Sequence, residues 1–141
     1  MKRGSSTMIG QRACRGAAAA LALVAPWVTP IAMAQTGPMG PTIWLATATV
    51  GHDVVANCLV QAMNAEFSSS PVVSPPPRRT AYVNLWPRAN PPRDPVATFH
   101  VQPERDGTLR IGWQRLANAP AGARWDVSAK AAADRCAAPA R

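Results

Sequence analysis

The sequence lacks the short motifs that mark common catalytic sites. It contains no G-x-S-x-G nucleophile elbow, no glycine-rich phosphate loop and no H-E-x-x-H zinc motif. Its 141 residues include two histidines, so groups for a general base or a metal site are also scarce. We therefore expect no catalytic residue, no metal ion and no other cofactor. The sequence favours a binding or accessory protein over an enzyme.

Acidic residues are absent before position 53, where four basic residues precede an apolar run. This layout is typical of a secretory signal peptide, and Ala32, Met33 and Ala34 supply the small residues of a cleavage site. We predict a cleaved signal over residues 1–34 and a mature chain that begins at Gln35. The apolar run is interrupted by prolines and is shorter than the roughly 20 residues of a spanning helix, so no permanent membrane span is expected after cleavage. The protein is predicted to be exported, either periplasmic or secreted.

The excess of positive charge shrinks once the signal is removed. The chain has 15 lysine and arginine residues against 7 acidic ones, and four of the basic residues lie in the predicted signal, which leaves 11 against 7. Arginine supplies 13 of the 15, and alanine and proline are frequent, a composition that GC-rich coding produces without selection for binding. Because an exported protein rarely meets nucleic acid, no nucleic-acid partner is predicted.

Two cysteines remain in the predicted mature chain, since Cys14 leaves with the signal. An even count in an oxidising compartment predicts a disulfide between Cys58 and Cys136. This bond would close a loop of nearly eighty residues, which the chain-entropy model associates with about 4.5 kcal/mol of stabilisation. A metal site at Cys58 and His52 is not expected, because it needs two further ligands and a free thiolate.

The mature chain is long enough for one domain with a modest core. Residues 35–51 are predicted to be an extended N-terminal segment, whose part over 42–50 fits either a short strand or a lead-in to the next helix. Apolar residues then recur at three- and four-residue spacing, which predicts a helix with Asp53 as its N-cap and an end near residues 68–71. The domain is predicted to occupy residues 52–141.

Proline-rich stretches at 68–79 and 87–95 are predicted to be exposed loops of this domain. Between and after them, three runs of alternating apolar residues predict half-buried strands. These runs cover residues 80–86, 96–102 and 108–114. Asp106 and Gly107 are typical of a hairpin turn, so an antiparallel meander is the simplest topology.

The Ala-rich stretch near the C-terminus predicts a second helix, capped by Asp126 or Ser128. Its apolar stripe includes Cys136, and Cys58 lies on the stripe of the first helix, so both cysteines are predicted to face the core. The predicted fold is a small single α+β domain. It consists of a three-stranded antiparallel meander covered on one face by two disulfide-linked helices, in the order α-β-β-β-α.

The sheet face away from the helices is the predicted binding surface. By alternation it carries aromatic, amide, hydroxyl, imidazole and guanidinium groups. The members of this set are Tyr82, Asn84, Trp86, Thr98, His100, Gln102, Thr108, Arg110 and Gln114. Interfaces favour tyrosine, tryptophan and arginine, which indicates that Tyr82, Trp86, His100 and Arg110 contact a partner. The alternative is that this face is only the polar, solvated face of an ordinary antiparallel sheet.

Arginines in the two proline-rich loops extend the binding hypothesis. Arg78 and Arg79 precede the first predicted strand, and Arg88 and Arg93 follow it. They would form one cluster if the two loops lay at neighbouring ends of the sheet. Such a cluster suits an acidic envelope protein or an anionic glycan or lipid headgroup. GC-rich coding and solvated loops are the alternative explanation.

An envelope hydrolase or transferase is the alternative function. It would use His100 with Glu104 or Asp106, which requires a groove that brings the imidazole within hydrogen-bond reach of a carboxylate. The two carboxylates otherwise fit an exposed turn. His52 and Asp53, a second histidine and carboxylate pair, fit the start of a helix.

Overall fold

The computed structural model describes residues 37–138, which contain five strands and two helices. In chain order they are β1 (Ile43–Ala48), α1 (His52–Met63), β2 (Phe67–Val73), β3 (Ala81–Pro87), β4 (Ala97–Pro103), β5 (Leu109–Arg115) and α2 (Gly122–Ala137). The predicted signal peptide over residues 1–34 and its cleavage site lie outside the described residues.

All five strands belong to one antiparallel sheet, in the order β1-β5-β4-β3-β2. The predicted three-stranded meander in an α-β-β-β-α chain is therefore wrong. Strands β3, β4 and β5 are the three expected from alternation, and β1 and β2 extend the sheet on its two sides. The central strands are visible in the sequence because their apolar faces are buried. Most side chains of the two edge strands remain partly or fully exposed, so their alternation is weak.

Strand β2 occupies much of the stretch predicted as a loop at 68–79. In an antiparallel pair, alternate residues of a strand bond to the neighbouring strand, and the residues between them point their backbone groups the other way. Ser74 N donates to Thr80 O at 3.0 Å, so Ser74 and every second residue before it bond to β3. Pro71 is one of the residues in between, and its backbone groups face the free edge of the sheet. A proline at that position removes no bond from the ladder. A segment whose Ser and Pro content predicts a linker therefore forms an edge strand.

Residues 42–50 fitted either a strand or a lead-in to the helix, and the structure shows a strand, β1, in this segment. It pairs with β5, and the register shifts between Trp44 and Ala46, so that Leu45 is an extra residue in the edge. Before β1 the chain already runs beside β5, where Gly40 N donates to Arg115 O at 2.7 Å. A bulge in β1 and a proline in β2 are both features that limit pairing with further strands.

Both helices pack on one sheet face, α1 on β2, β3 and β4 and α2 on β1 and β5. The core between the layers contains the apolar residues of the central strands, including Phe99 and Trp113, whose ring centroids are 4.8 Å apart. The predicted disulfide between Cys58 and Cys136 is confirmed, and it joins the two helices. It therefore holds the two halves of the covering layer together.

The helix ends differ from those expected from capping residues. Helix α1 begins at His52 with Gly51 as its N-cap and ends at Met63, several residues before the serines. Asp53 lies inside the first turn and makes no side-chain capping bond. Helix α2 begins at Gly122, a turn before Asp126. The carboxylate of Asp126 is occupied by residues of the sheet, so it does not cap the helix.

Candidate functional site

We call the sheet face opposite the helices the open face. A row of paired residues crosses it on all five strands. From one edge to the other, the row consists of Trp44, Gly112, His100, Tyr82 and Val72. Trp44, Tyr82 and Val72 are 41%, 37% and 53% exposed, so the row presents aromatic and aliphatic surface to solvent. Such surface is more apolar than a solvated sheet face requires.

Gly112 allows Trp44 to lie across the sheet. A Cβ atom at Gly112 would lie 2.8 Å from Trp44 Cζ3, so the indole rests against the glycine backbone. The guanidinium carbon of Arg110 lies 3.8 Å from the centre of the Trp44 ring, a cation–π contact. Arg110 Nε also lies 2.9 Å from Glu104 Oε1, as an ion pair without the alignment of a hydrogen bond. Arg110 is thus held between an aromatic ring and a carboxylate.

His100 is held by neighbours on both sides. Its ring packs edge-to-face against Tyr82 with centroids 5.2 Å apart. His100 Nε2 lies 3.0 Å from Gln114 Oε1, and Gln114 Nε2 donates to Gly40 O at 2.8 Å. Because the carbonyl of Gly40 only accepts, the amide of Gln114 turns its oxygen toward His100, and His100 donates from Nε2.

The protonation state of His100 follows from its surroundings. Burial lowers the pKa of His100 below its ordinary value of 6.5, and the hydrogen bond with Gln114 opposes this effect only in part. At neutral pH the ring is therefore neutral, with the proton on Nε2 and a lone pair on Nδ1. No hydrogen bond from residues 37–138 reaches that Nδ1 lone pair.

Trp86 is half-buried at the end of β3. Its indole Nε1 donates to Arg93 O at 3.4 Å, so the ring ties the β3–β4 loop to the sheet. Beside it, Thr98 donates to Asn84 Oδ1 at 3.1 Å on the open face. These contacts make Trp86 a support for the loop, whereas Tyr82 stands in the exposed row.

The arginines of the two predicted loops lie at opposite ends of the sheet, because β3 runs from one loop to the other. Arg78 and Arg79 are in the β2–β3 loop, and Arg79 Nη1 donates to Gly107 O at 3.0 Å in the β4–β5 turn. Arg88 follows β3 at the other end, where its Nε donates to Asn64 O at 2.6 Å. The condition for a single cluster of these arginines, two loops at neighbouring ends of the sheet, is therefore not met. Arginines instead lie at both ends of the sheet.

The carboxylates of the alternative function have partners of their own. Glu104 pairs with Arg110, and Asp106 Oδ1 accepts hydrogen bonds from the backbone N and the hydroxyl of Thr108 at 2.9 and 2.7 Å. The bonds from Thr108 lower the pKa of Asp106 below its ordinary value. Within the part of the chain that the structure describes, neither carboxylate is hydrogen-bonded to His100.

A second polar cluster lies between β5 and α2, away from the open face. Asp126 Oδ1 accepts from Trp113 Nε1 and Arg115 Nε, both at 2.8 Å, and Oδ2 accepts from Arg115 Nη2 at 2.8 Å. The hydrogen bonds from Arg115, with a smaller contribution from Trp113, lower the pKa of Asp126 despite partial burial. Because these groups satisfy one another, we assign the cluster a structural role.

Residues 37–138 contain no set of three His, Cys, Asp or Glu side chains arranged to hold a metal ion. In this same part of the chain, no helix combines the length and apolar character needed to cross a membrane. Neither finding identifies a ligand. The open face and its two arginine-bearing ends are therefore the features from which a function can be argued.

The sequence prediction missed two exposed members of the row, Trp44 and Val72. Both lie on edge strands that were not predicted as part of the sheet. The Thr-rich alternation over 42–50 was the one signal for Trp44, and it fitted a helix lead-in equally well. Val72 follows Pro71, whose presence argues against a strand unless the strand is at an edge.

Comparison of the chain with protein-family models, with curated proteins and with solved structures gives no match. Function therefore rests on the chemistry of the residues themselves.

Proposed function

We propose that the protein is a small, exported, non-catalytic binding protein that docks an envelope protein on its open face. The observation that carries this proposal is the row from Trp44 to Val72, whose members on β1, β3 and β2 are exposed. Exposed aromatic and aliphatic side chains have no role in solubility, and they fit the apolar centre of a protein interface.

The chemistry of the row supports the same proposal. Arg110 lies flat on Trp44 and is paired with Glu104, so its guanidinium is already ordered before a partner arrives. Tyr82 is likewise ordered by its packing against His100. Tryptophan, tyrosine and arginine are the residues most enriched among interface hot spots. Side chains that are ordered in advance lose little conformational entropy on binding.

Charge at the β2–β3 loop end of the open face favours an acidic partner. Among residues 37–138, Arg78 and Arg79 at that end take part in no ion pair. A protein with an acidic patch beside an apolar strip would match this surface. An anionic lipid headgroup would engage the arginines but leave the aromatic row without a role. A glycan would stack on Trp44 and Tyr82 but leave the aliphatic Val72 unmatched, so we favour a protein.

The disulfide supports the exported part of the proposal. Bonds of the Cys58–Cys136 type persist in oxidising compartments and are rare in the cytosol. The hydrolase or transferase alternative lacks a comparable support, since His100 bonds to Gln114 and the nearby carboxylates bond elsewhere.

Site-specific photo-crosslinking in cells that produce the full-length chain tests the docking surface. A photoreactive residue at Tyr82 is expected to yield a discrete adduct, because Tyr82 lies in the middle of the exposed row. The matched control is the same residue at Val127 on the outer side of α2, which is 72% exposed but faces away from the sheet. Arg110→Ala combined with Trp44→Ala should remove the Tyr82 adduct.

The adduct's sensitivity to enzymes identifies the class of partner. Collapse of the adduct with protease, after the bait's own fragments are accounted for, supports a protein partner. Collapse with a glycosidase or lipase instead replaces the protein partner with a glycan or lipid. Equal crosslinking from Tyr82 and Val127, or an adduct unchanged by the double substitution, contradicts the open face as a docking surface.

A further inference from the structure

A cleft at one end of the open face shares His100 with the row and extends from it toward the β3–β4 loop. Its volume is about 470 Å³, within the range of small-molecule sites. The floor is formed by side chains of β4 and β5, and the walls by the β3–β4 loop on one side and the chain before β1 on the other. Its ten lining residues include Arg93, Asp94, His100, Gln114 and Leu116. We call it the Arg93 cleft.

We propose that the Arg93 cleft binds a small zwitterion, an α-amino acid with an apolar side chain. This proposal goes beyond the docking of a protein on the open face and does not depend on it. It rests on the charges at the rim, the acceptor on the floor and the apolar walls.

The rim of the cleft carries one charge of each sign. Arg93 and Asp94 both line it, and neither takes part in an ion pair with another of the described residues. A carboxylate alone would pair with Arg93 but place its charge beside Asp94, and an amine alone would pair with Asp94 but place its charge beside Arg93. A ligand that bears an ammonium and a carboxylate satisfies both residues.

The floor offers a hydrogen-bond acceptor. The bond from Gln114 Nε2 to Gly40 O turns the amide oxygen of Gln114 toward His100, its neighbour on the floor of the cleft. Gln114 Oε1 accepts from His100 and retains a second lone pair. An ammonium group, which has three donors and no acceptor, is the complement of such a floor.

The walls provide the apolar part of the site. They are formed by Met39 and Leu116 on one side and by Pro92 and Pro95 on the other. The loop wall is held in place, since Trp86 donates to the carbonyl of Arg93. An aliphatic side chain fits between these surfaces, which suits leucine or methionine better than a charged amino acid.

A titration with three matched probes, followed by NMR on isotope-labelled protein expressed from the full-length chain, tests the proposal. L-leucine carries both charges, leucinamide lacks the carboxylate, and 4-methylpentanoate lacks the amine. Leucine is expected to shift the amide resonances of residues 92–95 and the indole N–H of Trp86. Each analogue should bind about three- to five-fold more weakly, because it loses one of the two charge pairs at the exposed rim.

Substitutions assign the two charges. Arg93→Gln should abolish the preference for leucine over leucinamide, and Asp94→Asn should abolish the preference over 4-methylpentanoate. Arg105→Gln in the β4–β5 turn, at the other end of the sheet, is the matched control and should leave all three affinities unchanged. Trp44→Ala should also leave them unchanged while it weakens docking on the open face, so failure of one proposal is distinguishable from failure of the other.

Two outcomes overturn the proposal. One is the absence of shifts at leucine concentrations up to about 10 mM, enough to fill most of a site with a dissociation constant of about 1 mM. The other is equal binding of leucine and its two analogues, which would make the cleft a general apolar site.

Discussion

Neighbouring residues on β5 meet opposite environments on the two sheet faces. Leu109 is fully buried beneath the helices, whereas Arg110 is partly exposed and lies on Trp44. On the covered face, contacts connect strands to helices and the disulfide connects the helices to each other. On the open face, contacts such as Arg110 to Trp44 and His100 to Gln114 connect one strand to the next.

The two faces of the sheet are therefore expected to have different roles, one in the stability of the fold and the other in binding. Removing a side chain from the covered face leaves a cavity in a packed interior. Removing one from the open face leaves a surface that water fills. The covered face should therefore control the free energy of unfolding, and the open face should control binding.

The disulfide is the covered-face feature with the largest expected effect. Replacing both members, Cys58→Ala with Cys136→Ala, should lower the free energy of unfolding by about 4 kcal/mol, because the closed loop of the unfolded chain is opened. Urea denaturation measures the loss. Reductant should destabilise the native protein to a similar degree and leave the double variant unchanged. A loss below about 1 kcal/mol would show that packing alone holds the helices together.

The adjacent pair on β5 gives the most direct test of the two faces. Leu109→Ala should cost about 3 kcal/mol, since it opens a cavity at a fully buried site. Arg110→Ala should cost less than about 1 kcal/mol, because an exposed cation–π contact and ion pair contribute little. Crosslinking from Tyr82 should respond in the opposite order. Equal losses of stability in the two variants would contradict the distinction between the faces.

Acid stability should depend on the covered face through Asp126. Its pKa lies below the ordinary value because Arg115 and Trp113 donate to the carboxylate, so its stabilisation is complete above pH 3.8 and is lost as pH falls through the lowered pKa. Asp126→Asn should cost about 1 kcal/mol near neutral pH and reduce the loss of stability on acidification. Denaturation curves between pH 2 and 7 measure both effects, with Asp53→Asn, at an exposed carboxylate, as the control. An unchanged acid limb in Asp126→Asn would contradict this role.

Gly112→Ala should alter the open face with little effect on the fold. The added Cβ would lie 2.8 Å from both the Trp44 ring and Thr42 Cγ2, so the indole and the threonine methyl must shift away from the strand. Because Trp44 is at the surface and has room to move, stability should change by less than about 1 kcal/mol. Crosslinking from Tyr82 should nevertheless fall. Normal crosslinking together with an unchanged indole resonance would contradict this prediction, because it would mean that the backbone of the sheet shifts to make room for the Cβ and the Trp44 side chain does not.

The smallest expected effect is a shift in the titration of His100. NMR should place its pKa below 6.5, and Gln114→Ala should lower it further, because the hydrogen bond that His100 donates to the amide oxygen favours the protonated ring. A rise in the His100 pKa on loss of Gln114 would contradict the assignment of the Gln114 oxygen as the acceptor of the hydrogen bond from His100.

Alternation of apolar residues was sufficient to predict the three central strands but not the two edge strands of the sheet. Alternation placed Tyr82, His100 and Arg110 on one face, since side chains of a strand alternate whatever its neighbours are. Alternation does not identify which strands pair. Trp44 and Val72 were consequently missed, and whether Arg78 and Arg88 lie near each other was left open, although a whole strand separates them.

The disulfide could be predicted from the sequence alone. Two cysteines on the apolar stripes of two helices implied the disulfide, because periodicity and an even cysteine count are properties of the chain itself. The tertiary structure decided the rest: the pairing of β1 with β5, the contact of Trp44 with Gly112, and the cleft between the β3–β4 loop and the chain before β1. Each of these joins segments distant in sequence, and such contacts form only when the edge strands meet partners that no local pattern specifies.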